Sequence, residues 1–227
     1  DVAPSRGLGD VYKRQIILSE NRPFSMETAA CDEEYEPSSE YDSSFALQIF
    51  AAREAVFKIL AKESLSIHEK LIVILDMGSK IQQCINTDEY DNIKSVVNDY
   101  LKEGIAHTLD ETRNLSDSGQ FEDISLQQGI RQILYPYEEM EVLNPEWEVI
   151  LKDIIDSLFE QMSDEEYNIL NEEFGTYMVS RVYEYRQLLE YLVFRYFAKS
   201  IYDYDFLGKC QMLVTNFFVI RQMDIIR

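Results

Sequence analysis

A chain of 227 residues, 46% hydrophobic and 12% aromatic, can bury one sizeable core or two small ones, and with 8 Gly and 5 Pro it favours long helices over many short strands. Its formal net charge of −21 repels phosphate backbones and anionic lipid, which argues against nucleic acid and membrane as partners. Charged residues from Glu190 to Lys209 break up the longest apolar stretch before it reaches the roughly 18 residues a spanning helix needs.

Three cysteines, Cys31, Cys84 and Cys210, lie far apart. An odd, sparse count suits a reducing cytoplasm, builds no disulfide framework and offers no C-x-x-C metal spacing.

In chain order, DVAPSRGLGDVYKRQ (residues 1–15) has no helical or strand period, and only the short Ile16–Leu18 run follows its basic pair Lys13–Arg14. A secretory leader needs an apolar core of about 7–15 residues. The string resembles translated adapter read-through, so residues 1–15 are expected to be non-native and the natural sequence to begin near Ile16. Residues 16–43, with Pro23, Pro37 and the acidic 32–42 segment, read as a solvated acidic linker rather than a docking site.

An all-α domain is expected over 44–227, truncated at its C-terminus. Ser43 or Ser44 suits an N-cap, and Phe45, Ile49, Ala52, Val56, Ile59 and Leu60 follow on one helical face. Ser66 with Glu69 forms a capping box, and Ile67, Leu71, Ile74, Leu75, Gly78, Ile81 and Ile85 make the stripe of the next helix. The short link around Ser64–Leu65 predicts an antiparallel helical hairpin.

Residues 88–109 carry a helical pattern, a loop follows from Asn114, and Phe121–Tyr135 reads as helix up to Pro136. Asn144-Pro145 supplies a cap and a first-turn proline for a helix bearing Trp147, Leu151, Ile154, Ile155 and Leu158. A second capping box, Ser163 with Glu166, predicts a short helix that stops near Gly175. Thr176 to about Tyr202 is expected as one long aromatic helix, and Phe206–Arg227 as another, with Tyr202–Asp205 (YDYD) between them. No helical repeat is visible. The fold class is an all-α, irregular helical bundle with a hairpin and a long aromatic C-terminal helix pair.

Two stretches carry a family resemblance: LEYLVFRYFAKSIYDYDFLGKCQMLVTNFFVIRQMD (189–224) and REAVFKILAKESLSIHEKLIVILDMGSKIQ (53–82). Together they resemble the flagellin lysine-N-methylases, in which an aromatic helix reading roughly ENYLVYYFFRYFLKALYDGD precedes an apolar helix ending in IRWLD. The opening IILSENRPF is similar to the family segment that follows a cysteine-bearing SCPEAAR stretch. The likeness spans Ile16–Arg227. It implies methyl transfer from S-adenosylmethionine to lysine ε-amino groups of flagellin, in the cytoplasm before export. The family's cysteine-rich N-terminal region, taken to hold an iron–sulfur or other metal centre, is missing from this sequence, and the family chain continues past its end. The chain is therefore expected to be an internal fragment, inactive alone.

The implied chemistry sets demands. A lysine ammonium, with an ordinary pKa of about 10.4, must lose a proton before it can attack. A sulfonium is held by aromatic faces, and the donor's carboxylate by a guanidinium fork. The catalytic candidates are Tyr191, Tyr202, Asp203 and Asp205; the donor-binding candidates are Arg195 and Tyr196. Each has an ordinary reading too: aromatic stripes are commonly core, a buried Arg195 would pair with Glu184 or Asp203, and YDYD would serve as a polar helix break. No metal ligands are assigned: His68 reads as solvated, and His107 has no neighbour at ligand spacing. No Gly-rich loop after a strand supports a Rossmann-type donor site. The alternative function is a non-enzymatic acidic all-α module that binds a partner helix or a basic protein.

Overall fold

The structure is a computed structural model that describes residues 43–117, 125–138 and 145–226, and every regular element among them is a helix. Residues 1–15, residues 16–42 of the expected linker, Cys31, the Asn144 cap and the Trp147 side chain lie outside the described residues. The chain divides into two compact units, Asp1–Leu109 with Val182–Gln211 and Asp110–Arg181 with Met212–Arg227. Each has its own buried apolar residues, where the sequence pattern reads as a single domain.

In the first unit, helix α1 (Ser43–Leu60) buries Phe45, Ile49, Ala52, Val56, Ile59 and Leu60, the face its periodicity marks. Helix α2 (Ile67–Asn86) opens on the capping box: the Ser66 hydroxyl accepts the Glu69 N–H at 3.2 Å, and the Glu69 carboxylate accepts the Ser66 N–H at 2.8 Å. Leu71, Ile74, Met77 and Ile81 of α2 face inward, and α2 packs on α1 across the connection 61–66, which forms the predicted hairpin.

The single pattern over 88–109 becomes several pieces. Asp88 is left-handed (φ 57°), Tyr90–Asn92 is a 3₁₀ turn, and α3 (Ile93–Asp99) is followed by a π-helical turn at Tyr100–Gly104. Helix α4 (Ile105–Asp117) continues through Asn114, past the point where a loop is expected to begin.

In the second unit, α5 (Leu126–Glu138) runs beyond Tyr135 and holds Pro136 in its last turn. Pro136 forgoes one intrahelical bond, and only two residues of the helix follow it, so few further bonds are put at risk. Helix α6 (Pro145–Ile155) starts on its proline as read, and a π-helical turn, Asp156–Glu160, extends it. The second capping box forms at Ser163–Glu166, but α7 (Asp164–Met178) passes through Gly175. An interior glycine weakens a helix by only about 1 kcal/mol and need not end it. Ile130, Leu134, Leu151, Ile154, Leu158, Tyr167 and Val219 pack together as the core of this unit.

The long helix expected over Thr176–Tyr202 is broken. The chain turns at Val179–Arg181, where it passes from one unit to the other, and helix resumes as α8 (Val182–Tyr196). A 3₁₀ turn, Phe197–Lys199, and the one-turn α9 (Ser200–Asp203) follow, before α10 (Phe206–Ile226). The apolar pattern is continuous across both breaks, so periodicity cannot register them; the first falls where the chain passes between units, whereas α8, the 3₁₀ turn and α9 all pack on α1.

Candidate functional site

The YDYD stretch is a built helix junction. Tyr204 is left-handed (φ 54°), a strained conformation for an aromatic residue, and four contacts hold it and its neighbours. Its ring stacks on Phe45 (centroids 5.1 Å, interplanar 13°), and its carbonyl accepts from Gln82 Nε2 at 2.9 Å. The Gln82 side-chain Oε1 in turn accepts the free N–H groups of Phe206 and Leu207 at 2.8 and 3.1 Å, so α2 caps the start of α10.

The candidate carboxylates work in the same junction. Asp205 Oδ1 accepts the Gly208 N–H at 2.8 Å as an N-cap, and Asp203 Oδ1 accepts the Asp205 N–H at 3.1 Å. Both carboxylates face the Lys209 ammonium, Asp203 at 2.6 Å and Asp205 at 3.8 Å. Tyr202, 61% exposed, lies beside them in solvent.

The other candidates lie on α8. Tyr191 is half-buried, and Arg195 is exposed, not buried against Glu184 or Asp203 as one reading allowed. Its guanidinium lies 5.9 Å from the Tyr196 ring centroid, with the Lys199 ammonium 5.2 Å from the same ring. Two cations therefore already lie near the Tyr196 ring. The buried charge on α8 is instead Glu190, 6% exposed, with Arg186 Nε at 3.7 Å and Lys70 of α2, 5% exposed, close enough to act on it electrostatically. Burial pushes the Glu190 carboxyl up, against the pull of Arg186 and Lys70, and pushes the Lys70 ammonium down.

A second cluster was not legible in the sequence. Asp76 Oδ2 of α2 accepts from Thr108 Oγ1 at 2.6 Å, from the Tyr100 hydroxyl, and from Lys80 Nζ at 3.3 Å. Lys80 Nζ also sits 4.9 Å from the Tyr100 ring centroid. Burial would raise the Asp76 carboxyl, but the bonds from Thr108 and Tyr100 and the Lys80 charge outweigh it and hold it below its usual value. Beside the cluster lies a cavity of about 480 Å³, bounded by α2, the 3₁₀ turn and α3, with Lys80, Cys84, Glu89, Asn92, Val96 and Asp99 among its walls. Only the Asp76–Lys80 pair, spaced for one helical face, could have been read locally; Tyr100 and Thr108 arrive through the fold.

His68 and His107 are both exposed, and Cys84 and Cys210 are buried free thiols. Among the described residues no group of three or more His, Cys, Asp or Glu is placed to hold a metal ion, and no helix is long and apolar enough to cross a membrane.

Compared with protein families, residues 53–227 match the model of the FliB lysine N-methylase C-terminal domain. No characterised protein and no solved structure matches the chain.

Proposed function

The chain belongs to the family of the FliB lysine N-methylase C-terminal domain, and on that premise we propose that it is the helical portion of a flagellin lysine N-methylase acting in the cytoplasm. The reaction is methyl transfer from S-adenosylmethionine to lysine ε-amines of flagellin. What carries this is the span of the family match, which takes in α1 from Arg53 on, all of α2 and the α8–α10 stretch.

S-adenosylmethionine supplies, when bound, a methyl group on a sulfonium. The residues of α8 fit it. Arg195 is exposed and makes no ion pair among the described residues, so its fork is available to a carboxylate. The Tyr196 ring offers a sulfonium an aromatic face once the Arg195 and Lys199 cations that now lie over it move aside, Arg195 to the donor's carboxylate.

The acceptor amine must shed a proton, and Tyr191, Tyr202, Asp203 and Asp205 are the proposed groups around it. Asp203 and Asp205 support this by holding one lysine ammonium, that of Lys209, in the free chain. No described residue set fits the iron–sulfur or other metal centre. The proposal keeps that centre in the family's cysteine-rich region, and its expectation is that this chain transfers no methyl group without it.

The test compares this chain with the same chain joined to the cysteine-rich region, each incubated with flagellin and methyl-labelled donor. Label should reach flagellin lysines only with the joined protein. There, Arg195→Ala should raise the donor KM about ten-fold, the loss of roughly 1.4 kcal/mol of binding. Transfer by the isolated chain overturns its inactivity. Binding of flagellin without transfer by either form replaces the enzyme with the acidic interaction module.

A further inference from the structure

The cavity beside the Asp76 cluster has no part in the α8–α10 site, yet its walls are chemically specific. At about 480 Å³ it falls in the range of ligand-sized pockets, about 300–1,000 Å³. Its walls include two carboxylates, Glu89 and Asp99, together with Asn92, whose Nδ2 donates to Glu89 Oε2 at 2.9 Å and leaves Glu89 Oε1 to the cavity, the hydroxyl of Ser95, and the apolar Cys84 and Val96. One cation, Lys80, reaches the wall, but its ammonium is turned to Asp76 Oδ2 at 3.3 Å and to the Tyr100 ring at 4.9 Å. Asp76 thereby offsets its charge, and the balance of the free charges facing the cavity is negative.

That balance excludes a phosphate or carboxylate ligand, and the polar rim excludes a wholly apolar one. An apolar stem with a cationic head meets both features. The methylenes would lie on Cys84 and Val96, and the head group between Glu89 and Asp99.

We propose that this cavity binds a basic side chain of the acceptor protein, a lysine next to the one that is modified, and so anchors the substrate while the reaction takes place elsewhere. The anchor rests on the methylase reading for the identity of its partner, but the binding itself does not. Glu89 and Asp99 are positioning residues, since neither touches the reacting atoms.

The experiment titrates the isotopically labelled chain with Nα-acetyl-lysine methylamide and, separately, with its norleucine counterpart, following backbone amides by NMR. The lysine compound should produce saturable shifts confined to residues 80–99, the norleucine compound none, and the Glu89→Gln/Asp99→Asn double variant should bind the lysine compound about ten-fold more weakly. Shifts spread over the acidic surface, or binding unaltered in the double variant, overturn the site. An unchanged thermal melting curve certifies that the double variant folds; if it does not, Asn92→Leu and Ser95→Val, tested singly, must weaken binding for the site to stand. In the joined enzyme the double variant should raise the flagellin KM with kcat unchanged; binding in the cavity with no change in KM overturns the anchoring role. Absence of any methyl transfer by the unmodified joined enzyme defeats the methylase reading alone and leaves the binding result as it is.

Discussion

At the scale of single residues, the approach of α2 to α10 at Gly78 depends on one missing side chain. A Cβ on Gly78 would lie 2.6 Å from Cys210 Sγ and 3.2 Å from Cys210 Cβ. Alanine is favoured over glycine inside a helix by about 1 kcal/mol, whereas overpacking costs about 1–3 kcal/mol. Gly78→Ala should therefore lower stability by up to about 2 kcal/mol, seen as a lower urea midpoint. Adding Cys210→Ala should restore part of the loss, because the sulfur contact disappears while the Cβ contact stays. A raised midpoint in the single variant would contradict the packing.

Two carboxylates give opposite pH dependence. Asp76 titrates below its usual value in the folded state, so its contribution is present above the ordinary carboxylate range, near 3.9, and is lost as pH falls through the folded value. Glu190 titrates above its usual value, so its contribution is full below about 4.3 and is lost as pH rises through the folded value. Urea unfolding from pH 3 to 8 should show that Asp76→Asn flattens the acid limb and Glu190→Gln flattens the decline on the neutral side.

At the scale of elements, caps explain why helix starts were legible. The Ser66–Glu69 and Ser163–Glu166 boxes are closed within four residues, and each satisfies a free N–H at both ends of the exchange. Ser66→Ala should cost about 1 kcal/mol, measurable as a shift in thermal unfolding. Helix ends and breaks were not legible in the same way. Gly175 and Pro136 are punctuation by residue type, yet helices run through both. The real interruptions, at Val179–Arg181 and Phe197–Lys199, fall on residues with no breaker among them. The first coincides with the passage of the chain from one unit to the other, which no local pattern encodes.

At the scale of the whole molecule, charge dominates. A net −21 spread over 227 residues repels itself, and salt screens that repulsion over about 10 Å at 0.1 M. Thermal stability should rise between 20 and 500 mM sodium chloride; a flat or falling response would show that the acidic groups are compensated locally. The same charge favours basic partners, in keeping with lysine-bearing flagellin as the proposed substrate.

The sequence by itself determined the all-α class, the hairpin, the inward faces of α1 and α2, and both capping boxes. These depend on residues three or four positions apart, and helical geometry makes such neighbours meet whatever the rest of the chain does. It also carried the family, through short patterns at both ends of residues 53–227. The tertiary structure alone decided that the chain forms two units, that Gln82 caps a helix beginning at Phe206, and that Arg195 is exposed while Glu190 is buried. It alone brought Tyr100 and Thr108 to Asp76 and opened a cavity beside them. Contacts between residues tens of positions apart are fixed by which helix faces pack, and that choice belongs to the whole set of helices at once.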